Sequence, residues 1–195
     1  MTAVKLSDMM KKRQLLSFEL FPPKTDRGMT NLSETIQQLC RYKPEYISVT
    51  YGAGGGNVGA NRQVCRMVRN AGAVPVTHFT VIRNTKQGIR EQLETYLKEG
   101  VDHILALRGD FPRGETTTGG DFNYATDLVK FIRDEFGEQF EIAVAGSPEG
   151  HISCRSLEAD IGVLKMKQDN GADYIMTQLC WDMEQFERWL DKIRR

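Results

Sequence analysis

The sequence lacks a net charge, a long apolar run and a secretion signal, and each absence excludes a class of protein. Its 195 residues carry 26 basic and 26 acidic side chains, so nothing predicts a nucleic-acid surface. No apolar stretch reaches the roughly 20 residues that a membrane-spanning helix needs. The polar, basic segment 1–13 has no apolar signal core. We therefore expect a cytoplasmic protein that binds neither nucleic acid nor membranes.

Cysteine is also scarce, and its spacing predicts no metal centre. Cys40, Cys65, Cys154 and Cys180 form no C-x-x-C pair and no cluster with histidine at metal-ligand spacing. Small, buried apolar side chains in a reducing compartment are the interpretation that fits all four best.

Short apolar segments alternate with helical periodicities along the whole chain. Each segment is rich in β-branched and aromatic residues, which is typical of strands. Gly72, Gly100 and Gly171 follow three of the predicted helices, where glycine takes the left-handed cap that other residues resist. The predicted strands are 15–21, 46–51, 74–81, 103–107, 141–145 and 174–179.

The spacing of these strands predicts an α/β fold. Strand starts recur every ~30–38 residues, one βα unit each, and strands this apolar indicate a parallel sheet covered on both faces. A doubly wound sheet and a (β/α)8 TIM barrel both meet this description. Nearly every predicted strand ends in polar residues or glycine, as a site built from many loops requires, which favours the barrel. We expect one domain over residues 1–195, with about six βα units.

Glu19 is the first candidate site residue, in the segment SFELFPP at 17–23. Two prolines end the predicted strand there, so Glu19 should lie near the strand's C-terminal end, flanked by aromatic residues. We expect a poorly solvated carboxyl, which favours the protonated form that a general acid needs near neutral pH. The alternative is a solvated strand-end carboxylate.

A glycine-rich run gives a competing interpretation. Gly54, Gly56 and Gly59 match the G-x-G-x-x-G pattern of an NAD-binding Rossmann domain. The run lies in the second unit, however, and the following strand does not end in the Asp or Glu that would hold a ribose. A glycine loop over a ligand at a barrel mouth is the preferred interpretation.

Three other positions are ambiguous from the pattern alone. His78, inside an apolar strand, is equally consistent with a core histidine and with a group that hydrogen-bonds a cofactor ring. The run 108–110 closes the fourth strand as either an ion pair with a turn glycine or a bare backbone beside a ligand. In the second case Asp110 and Glu19 would be two carboxylates at one mouth in different surroundings. Lys167 fits a solvated helix face.

Several segments, in order, resemble the methylenetetrahydrofolate reductase family. The resemblance runs from about Leu15 to the C-terminus, and the ordered set is specific although each piece is short. The matching segments are SFELFPP at 17–23, SVTYGA at 48–53, HILALRGD at 103–110, YATDLV at 124–129, PEGH at 148–151 and TQ at 177–178.

This resemblance implies a flavoprotein on a (β/α)8 barrel that reduces 5,10-methylenetetrahydrofolate to 5-methyltetrahydrofolate. It implies FAD as the cofactor and a ping-pong reaction in which NAD(P)H reduces the flavin before the folate substrate binds. Glu19 matches the general acid, Asp110 the carboxylate beside flavin and pterin, and Gln178 a folate-binding residue. The positions that match FAD contacts are Thr50, His78, Arg108, Gly109, Asp110, Tyr124, Ala125, Ala145, His151, Asp160 and Lys167.

The sequence also departs from the family pattern. Ser147 stands where the family frequently has an aromatic residue, and Val163 and Met166 stand where polar or basic residues often contact FAD. Six βα units fall short of eight, which leaves open a truncated chain, a homo-oligomer that closes the barrel, or a partner chain that completes it. A flavin- or folate-binding module without turnover is therefore the alternative function.

Overall fold

A computed structural model of the chain describes residues 5–51, 58–111 and 114–194, which form seven helices and six strands. The strands are β1 Ser17–Leu20, β2 Tyr46–Val49, β3 Val74–Thr80, β4 His103–Leu107, β5 Glu141–Gly146 and β6 Tyr174–Thr177. The helices are α1 Leu6–Met10, α2 Asp26–Cys40, α3 Val58–Asn70, α4 Lys86–Lys98, α5 Ala125–Phe136, α6 Leu157–Asp169 and α7 Met183–Ile193, with a 3-10 turn at Gly137–Gln139.

The six strands form one parallel sheet in the order in which they occur in the chain. Every strand pairs with the one before it, from Glu19 opposite Ser48 to Ala145 opposite Met176. A Rossmann sheet reverses its strand order at a switch point, and this sheet has no such reversal. The Rossmann interpretation was therefore wrong, and six units of a (β/α)8 barrel are confirmed.

The sheet is curled, with apolar layers on both faces. The outer layer packs β-strand residues such as Ile47, Phe79 and Val144 against the helices. The inner layer joins side chains from β2 to β6 in one cluster that includes Tyr46, Val76, Leu105, Ala143 and Tyr174. Alternate residues of each strand point to these two layers, so the polar residues in phase with the inner layer face the barrel interior.

Helix boundaries follow the local chemistry. The hydroxyls of Thr25, Thr85 and Ser156 each accept a hydrogen bond from the third backbone N–H beyond them, which caps α2, α4 and α6. At the other ends the predicted glycine turns are confirmed, because their φ angles are positive. These angles are 94° at Gly72, 72° at Gly100 and 107° at Gly171.

The helix α1 was not predicted, and it covers the N-terminal end of the barrel. Its Leu6 is fully buried in the inner cluster. The carboxylate of Glu141 on β5 accepts hydrogen bonds from the backbone N–H groups of Leu6, at 2.7 Å, and Ser7, at 2.9 Å, and from the Ser7 hydroxyl. One buried carboxylate thus anchors the first helix to the fifth strand.

Several details differ from the sequence expectations. Strand β1 ends at Leu20, and Phe21 is 70% exposed because it lies beyond the strand. In α7 Met183 is exposed, whereas Trp189 is buried beside Gly146. Only Cys65 among the four free cysteines is buried, and the other three are partly exposed.

Within the described ranges, no helix has both the length and the apolar character that crossing a membrane requires.

Candidate functional site

The C-terminal edge of the sheet carries most of the predicted site residues. Glu19, His78 and Ala145 lie within β1, β3 and β5. The segments that follow β2, β4, β5 and β6 provide the others, of which Ala125 lies at the start of α5 and Asp160 and Lys167 lie within α6. The register gives His78 and Ala145 the phase of the inner layer, because His78 pairs with Leu105 and Leu105 with Ala143. The fold therefore gathers these residues at one mouth, as it does in TIM-barrel enzymes.

Glu19 is more exposed than its sequence neighbours suggested. Its side chain is 48% exposed, so the expectation of a poorly solvated carboxyl was wrong for the described residues. Neighbouring strand residues point to opposite faces, and Phe18 accordingly packs in the outer layer near Tyr42, with ring centroids 6.5 Å apart. The aromatic residues beside Glu19 in sequence do not cover its carboxyl.

The group that does approach Glu19 is His78. Its Nε2 atom lies 3.9 Å from Oε2 of Glu19, beyond hydrogen-bond distance. The His78 side chain is only 12% exposed, and burial lowers its pKa to about 4, so the imidazole is neutral at physiological pH. The structure brings together two of the predicted residues, a half-exposed carboxyl and a buried neutral histidine.

Two polar atoms at this end of β3 have no hydrogen-bond partner among the described residues. They are Nε2 of His78 and Oγ1 of Thr80, and both are buried. An unpaired buried polar atom costs ~1–3 kcal/mol, so such atoms are rare without a ligand or a function. A bound molecule with polar ring atoms would provide partners at this position.

Gly109 has no room for a side chain. Its φ is 84°, and a Cβ atom there would lie 2.7 Å from Cγ1 of Ile82 and 3.0 Å from Cβ of Thr80. Arg108 makes no ion pair with Asp110 among the described residues; instead its guanidinium lies over the Phe111 ring, 4.4 Å from the centroid. Asp110 is exposed. The ion pair of the first interpretation is therefore absent among the described residues, its turn glycine is present, and a ligand beside Gly109 stays a prediction.

Lys167 is the half-buried cation of the site. Its Nζ donates to the Ala145 carbonyl at 2.8 Å, and no carboxylate in the described ranges lies within 4.0 Å of it. Burial lowers the pKa of Lys167, and the charge of Asp160 opposes that effect. Asp160 accepts a hydrogen bond from the backbone N–H of His151 at 3.0 Å. The expectation of a solvated helix face holds for Lys165, which pairs with Asp169, but was wrong for Lys167.

The other predicted residues are positioned mainly through their backbones. The N–H of Thr50 donates to Leu20 at 2.9 Å, and that of Gln178 donates to Gly146 at 2.8 Å. Tyr124 precedes α5, with its ring 63% exposed, and Ala125 is buried. The side chains of Gln178 and Tyr124 are thus free to contact a ligand. Gly54 and Gly56 lie outside the described residues, and Gly59 lies within α3.

Asn61, which the sequence analysis missed, fixes the backbone behind this mouth. Its Nδ2 donates to the carbonyls of Val49 and Thr50, both at 3.1 Å. Its Oδ1 accepts from the hydroxyls of Thr77, at 2.9 Å, and Tyr96, at 2.7 Å. The signal was present in the sequence, because Asn61 shares the helical spacing of the buried residues Val64, Cys65 and Val68.

The site is separate from a cavity on the outer face of the sheet. That cavity has a volume of about 570 Å³ and lies between α6, β6 and α7, among residues such as Ile161, Leu164 and Ile193. None of the predicted site residues lines it. Nor does any group of three or more His, Cys, Asp or Glu within the described part of the chain have the geometry to hold a metal ion.

Comparison with known proteins gives one consistent family. The family model described as methylenetetrahydrofolate reductase matches residues 5–195. A relative from Arabidopsis thaliana, methylenetetrahydrofolate reductase (NADH) 1, is 36% identical over an alignment of 192 residues that covers 92% of this chain and 32% of that protein. The 5,10-methylenetetrahydrofolate reductase of Escherichia coli strain K12 is 36% identical over 178 residues, covering 91% of this chain and 58% of the relative.

The chain therefore spans less than two thirds of the length of these curated relatives. Among solved structures, a Clostridium thermocellum protein described as binding two copies of 5-methyl-5,6,7,8-tetrahydrofolic acid is similar with a TM-score of 0.65 and 12% identity. The match covers 97% of this chain and 63% of that one. At this identity the similarity concerns the fold.

Proposed function

Because this chain belongs to the methylenetetrahydrofolate reductase family, we propose that it reduces 5,10-methylenetetrahydrofolate to 5-methyltetrahydrofolate with NAD(P)H and bound FAD. The observation that carries the proposal is the buried Oγ1 of Thr80, which has no hydrogen-bond partner among the described residues, at the mouth where His78 lies beside the carboxyl of Glu19. A polar ring system bound there would give this atom a partner and lie within reach of a proton donor.

The residues present fit FAD. The buried Oγ1 of Thr80, without a partner among the described residues, suits a polar ring atom, and the half-buried ammonium of Lys167 lacks a carboxylate partner in the described ranges, which suits a diphosphate. We assign the FAD contacts to Thr50, His78, Arg108, Gly109, Asp110, Tyr124, Ala125, Ala145, His151, Asp160 and Lys167. When bound, FAD supplies hydride transfer from the nicotinamide to the folate.

The protein's own part is position, one proton and charge. In this proposal Glu19 gives a proton to the leaving nitrogen as the folate's bridging ring opens, and it becomes a carboxylate. Asp110 stabilises the positive charge that develops on the opened folate, and Gln178 holds the folate by hydrogen bonds. The exposed side chain of Glu19 would lose its water when the substrate covers it, which favours its protonated form.

Two half-reactions test the function. The purified chain is loaded with FAD, reduced with NADH or NADPH, and then mixed with methylenetetrahydrofolate while the flavin absorbance is followed. We expect reduction by a nicotinamide and then reoxidation by the folate. Glu19→Gln should keep reduction and slow reoxidation at least ~100-fold, whereas Glu34→Gln, an exposed position on α2, should change neither step.

A binding module without turnover is the second candidate. It is favoured by the coverage, since the chain spans only 58% of the Escherichia coli relative. Flavin that binds and is reduced, but is never reoxidised by the folate, would identify this alternative. A homo-oligomer or a partner chain that closes the barrel would then restore reoxidation, which mixing and sedimentation experiments can measure. A chain that binds no FAD at all would contradict both candidates.

A further inference from the structure

Nε2 of the buried His78 imidazole lies beside the carboxyl of Glu19. Nε2 is buried without a hydrogen bond among the described residues, and Oε2 of Glu19 is 3.9 Å away. Hydrogen bonds of this type close at about 2.7–3.2 Å, so a rotation that moves the carboxyl by roughly 1 Å makes the bond. Glu19, with a side chain 48% exposed, has the freedom to rotate.

The strand register explains why these two residues meet although a strand separates them. Glu19 on β1 pairs with Ser48 on β2, and Ser48 pairs with Val76 on β3, two residues before His78. The β2 residue that pairs with Glu19 is Ser48, whose side chain is small and buried. Glu19, Ser48 and His78 lie on the same face of the sheet, because successive pairings keep them in phase.

The charge state of His78 matters as much as its position. An imidazolium within 4–6 Å of Glu19 would favour the ionised carboxylate and make a poor proton donor of it. Burial lowers the pKa of His78 to about 4, so at neutral pH the ring is uncharged. A neutral ring can orient the carboxyl by a hydrogen bond without removing its ability to hold a proton.

We propose that His78 is a positioning residue for Glu19: its neutral Nε2–H donates a hydrogen bond to the Glu19 carboxyl and holds it in place for proton transfer. The bond persists after Glu19 has given its proton to the substrate, because the carboxylate then accepts more strongly. No proton leaves His78. The pairing itself concerns the chain alone, whereas its part in catalysis rests on the proposed function.

The pairing is tested without turnover, by NMR of the chain labelled with ¹⁵N-histidine. The chain has three histidines, His78, His103 and His151, so the spectrum is simple. We expect the proton of His78 on Nε2 at pH 7, where the ring is neutral, and an Nε2–H signal displaced by the hydrogen bond to Glu19. Glu19→Leu, which has no acceptor, should move that signal, and Glu34→Gln should leave it in place. A proton on Nδ1, or an Nε2–H signal that is the same in Glu19→Leu as in the wild type, would overturn the pairing.

The catalytic part is tested with the two half-reactions of the FAD-loaded chain. His78→Leu should slow flavin reoxidation by the folate about 30-fold more than it slows reduction by the nicotinamide, because the loss of its FAD contact affects both steps alike. His78→Gln, which retains an N–H at a similar reach, should recover most of that difference. In the Glu19→Gln background His78→Leu should no longer change the ratio of the two rates, since that ratio depends on Glu19.

The outcomes separate this inference from the proposed function. Equal loss of both half-reactions, or additive effects of the two substitutions, would mean that His78 serves only the cofactor and would refute its positioning role. A wild-type chain that never reoxidises its flavin with the folate refutes the proposed function, while the NMR comparison still decides whether the pair exists. Tyr174→Phe removes a buried hydroxyl of the inner layer that has no partner in the described part of the chain, and it should leave both rates unchanged.

Discussion

Nε2 of His103 lies 3.0 Å from Oε2 of Glu141, and the two side chains are only 3% and 4% exposed. The other ring nitrogen of His103 is 2.7 Å from Asp102, and Glu141 also binds the start of α1. Burial alone would lower the pKa of His103, but its bonds to Asp102 and Glu141 outweigh burial and raise it to about 9. Burial likewise raises the pKa of Glu141, but the bonds from His103 and Ser7 lower it to about 2.

This pair predicts a pH dependence of stability. The stabilisation from His103 is complete below its ordinary pKa of 6.5 and is lost as the pH rises through about 9. That from Glu141 is complete above 4.5 and is lost as the pH falls through about 2. Urea unfolding should therefore show a plateau between about pH 4.5 and 6.5, then a decline on the order of 2 kcal/mol by pH 9. His103→Gln should flatten the decline, and a wild-type curve without one would contradict the assignment.

Asn61 should contribute more to the free energy of unfolding than an exposed asparagine does. Asn61→Ala removes the partners of two backbone carbonyls and two hydroxyls, and we expect a loss of about 3 kcal/mol in the free energy of unfolding. Asn31→Ala on the exposed side of α2 is the matched control and should cost less than about 0.5 kcal/mol. Similar urea midpoints for both variants would show that the buried network contributes little.

Comparing alanine substitutions at Gly109 and Gly114 separates the effect of backbone strain from the effect of close packing. Their φ angles, 84° and 85°, are nearly equal. A Cβ atom at Gly109 would meet Ile82 at 2.7 Å, whereas one at Gly114 would meet no described residue within 4 Å. Both alanine variants should lose about 1–2 kcal/mol from the left-handed backbone. Only Gly109→Ala should also weaken FAD binding, by about tenfold, in a flavin fluorescence titration. Equal FAD affinity in the two variants would remove Gly109 from the cofactor site.

Lys167 and Lys165 provide a test of the diphosphate assignment. They lie two residues apart on α6, but Lys167 is half-buried on the Ala145 carbonyl, while Lys165 is exposed and paired with Asp169. Lys167→Met should weaken FAD binding about tenfold, corresponding to ~1.4 kcal/mol, and reduce its dependence on salt. Lys165→Met should leave the affinity within about twofold. The assignment is wrong if both variants bind FAD alike.

The sequence predicted the architecture because each βα unit repeats the same local signals. Apolar segments marked all six strands, and Gly72, Gly100 and Gly171 marked helix ends with the positive φ angles that the structure has. It predicted the solvation of Glu19 wrongly, because neighbours in a strand face opposite sides. Phe18 packs outwards and Phe21 lies past the strand, so neither covers the carboxyl.

Other features depend on distances in space that no local pattern encodes. The approach of His78 to Glu19 crosses a strand. The anchoring of α1 by Glu141 joins residues 135 positions apart. Asn61 was accessible in principle, as a polar residue on an apolar helix face, but its four partners could be identified only from the structure.

The sequential strand order has a consequence for how the chain folds during synthesis. Successive pairings join residues close in sequence, from His78 and Leu105, 27 residues apart, to Leu105 and Ala143, 38 apart. Such low contact order lets each unit add to the previous one as it leaves the ribosome. The exception is α1, which emerges first but cannot dock until Glu141 has been made. We therefore expect α1 to dock late, onto a sheet that has already formed.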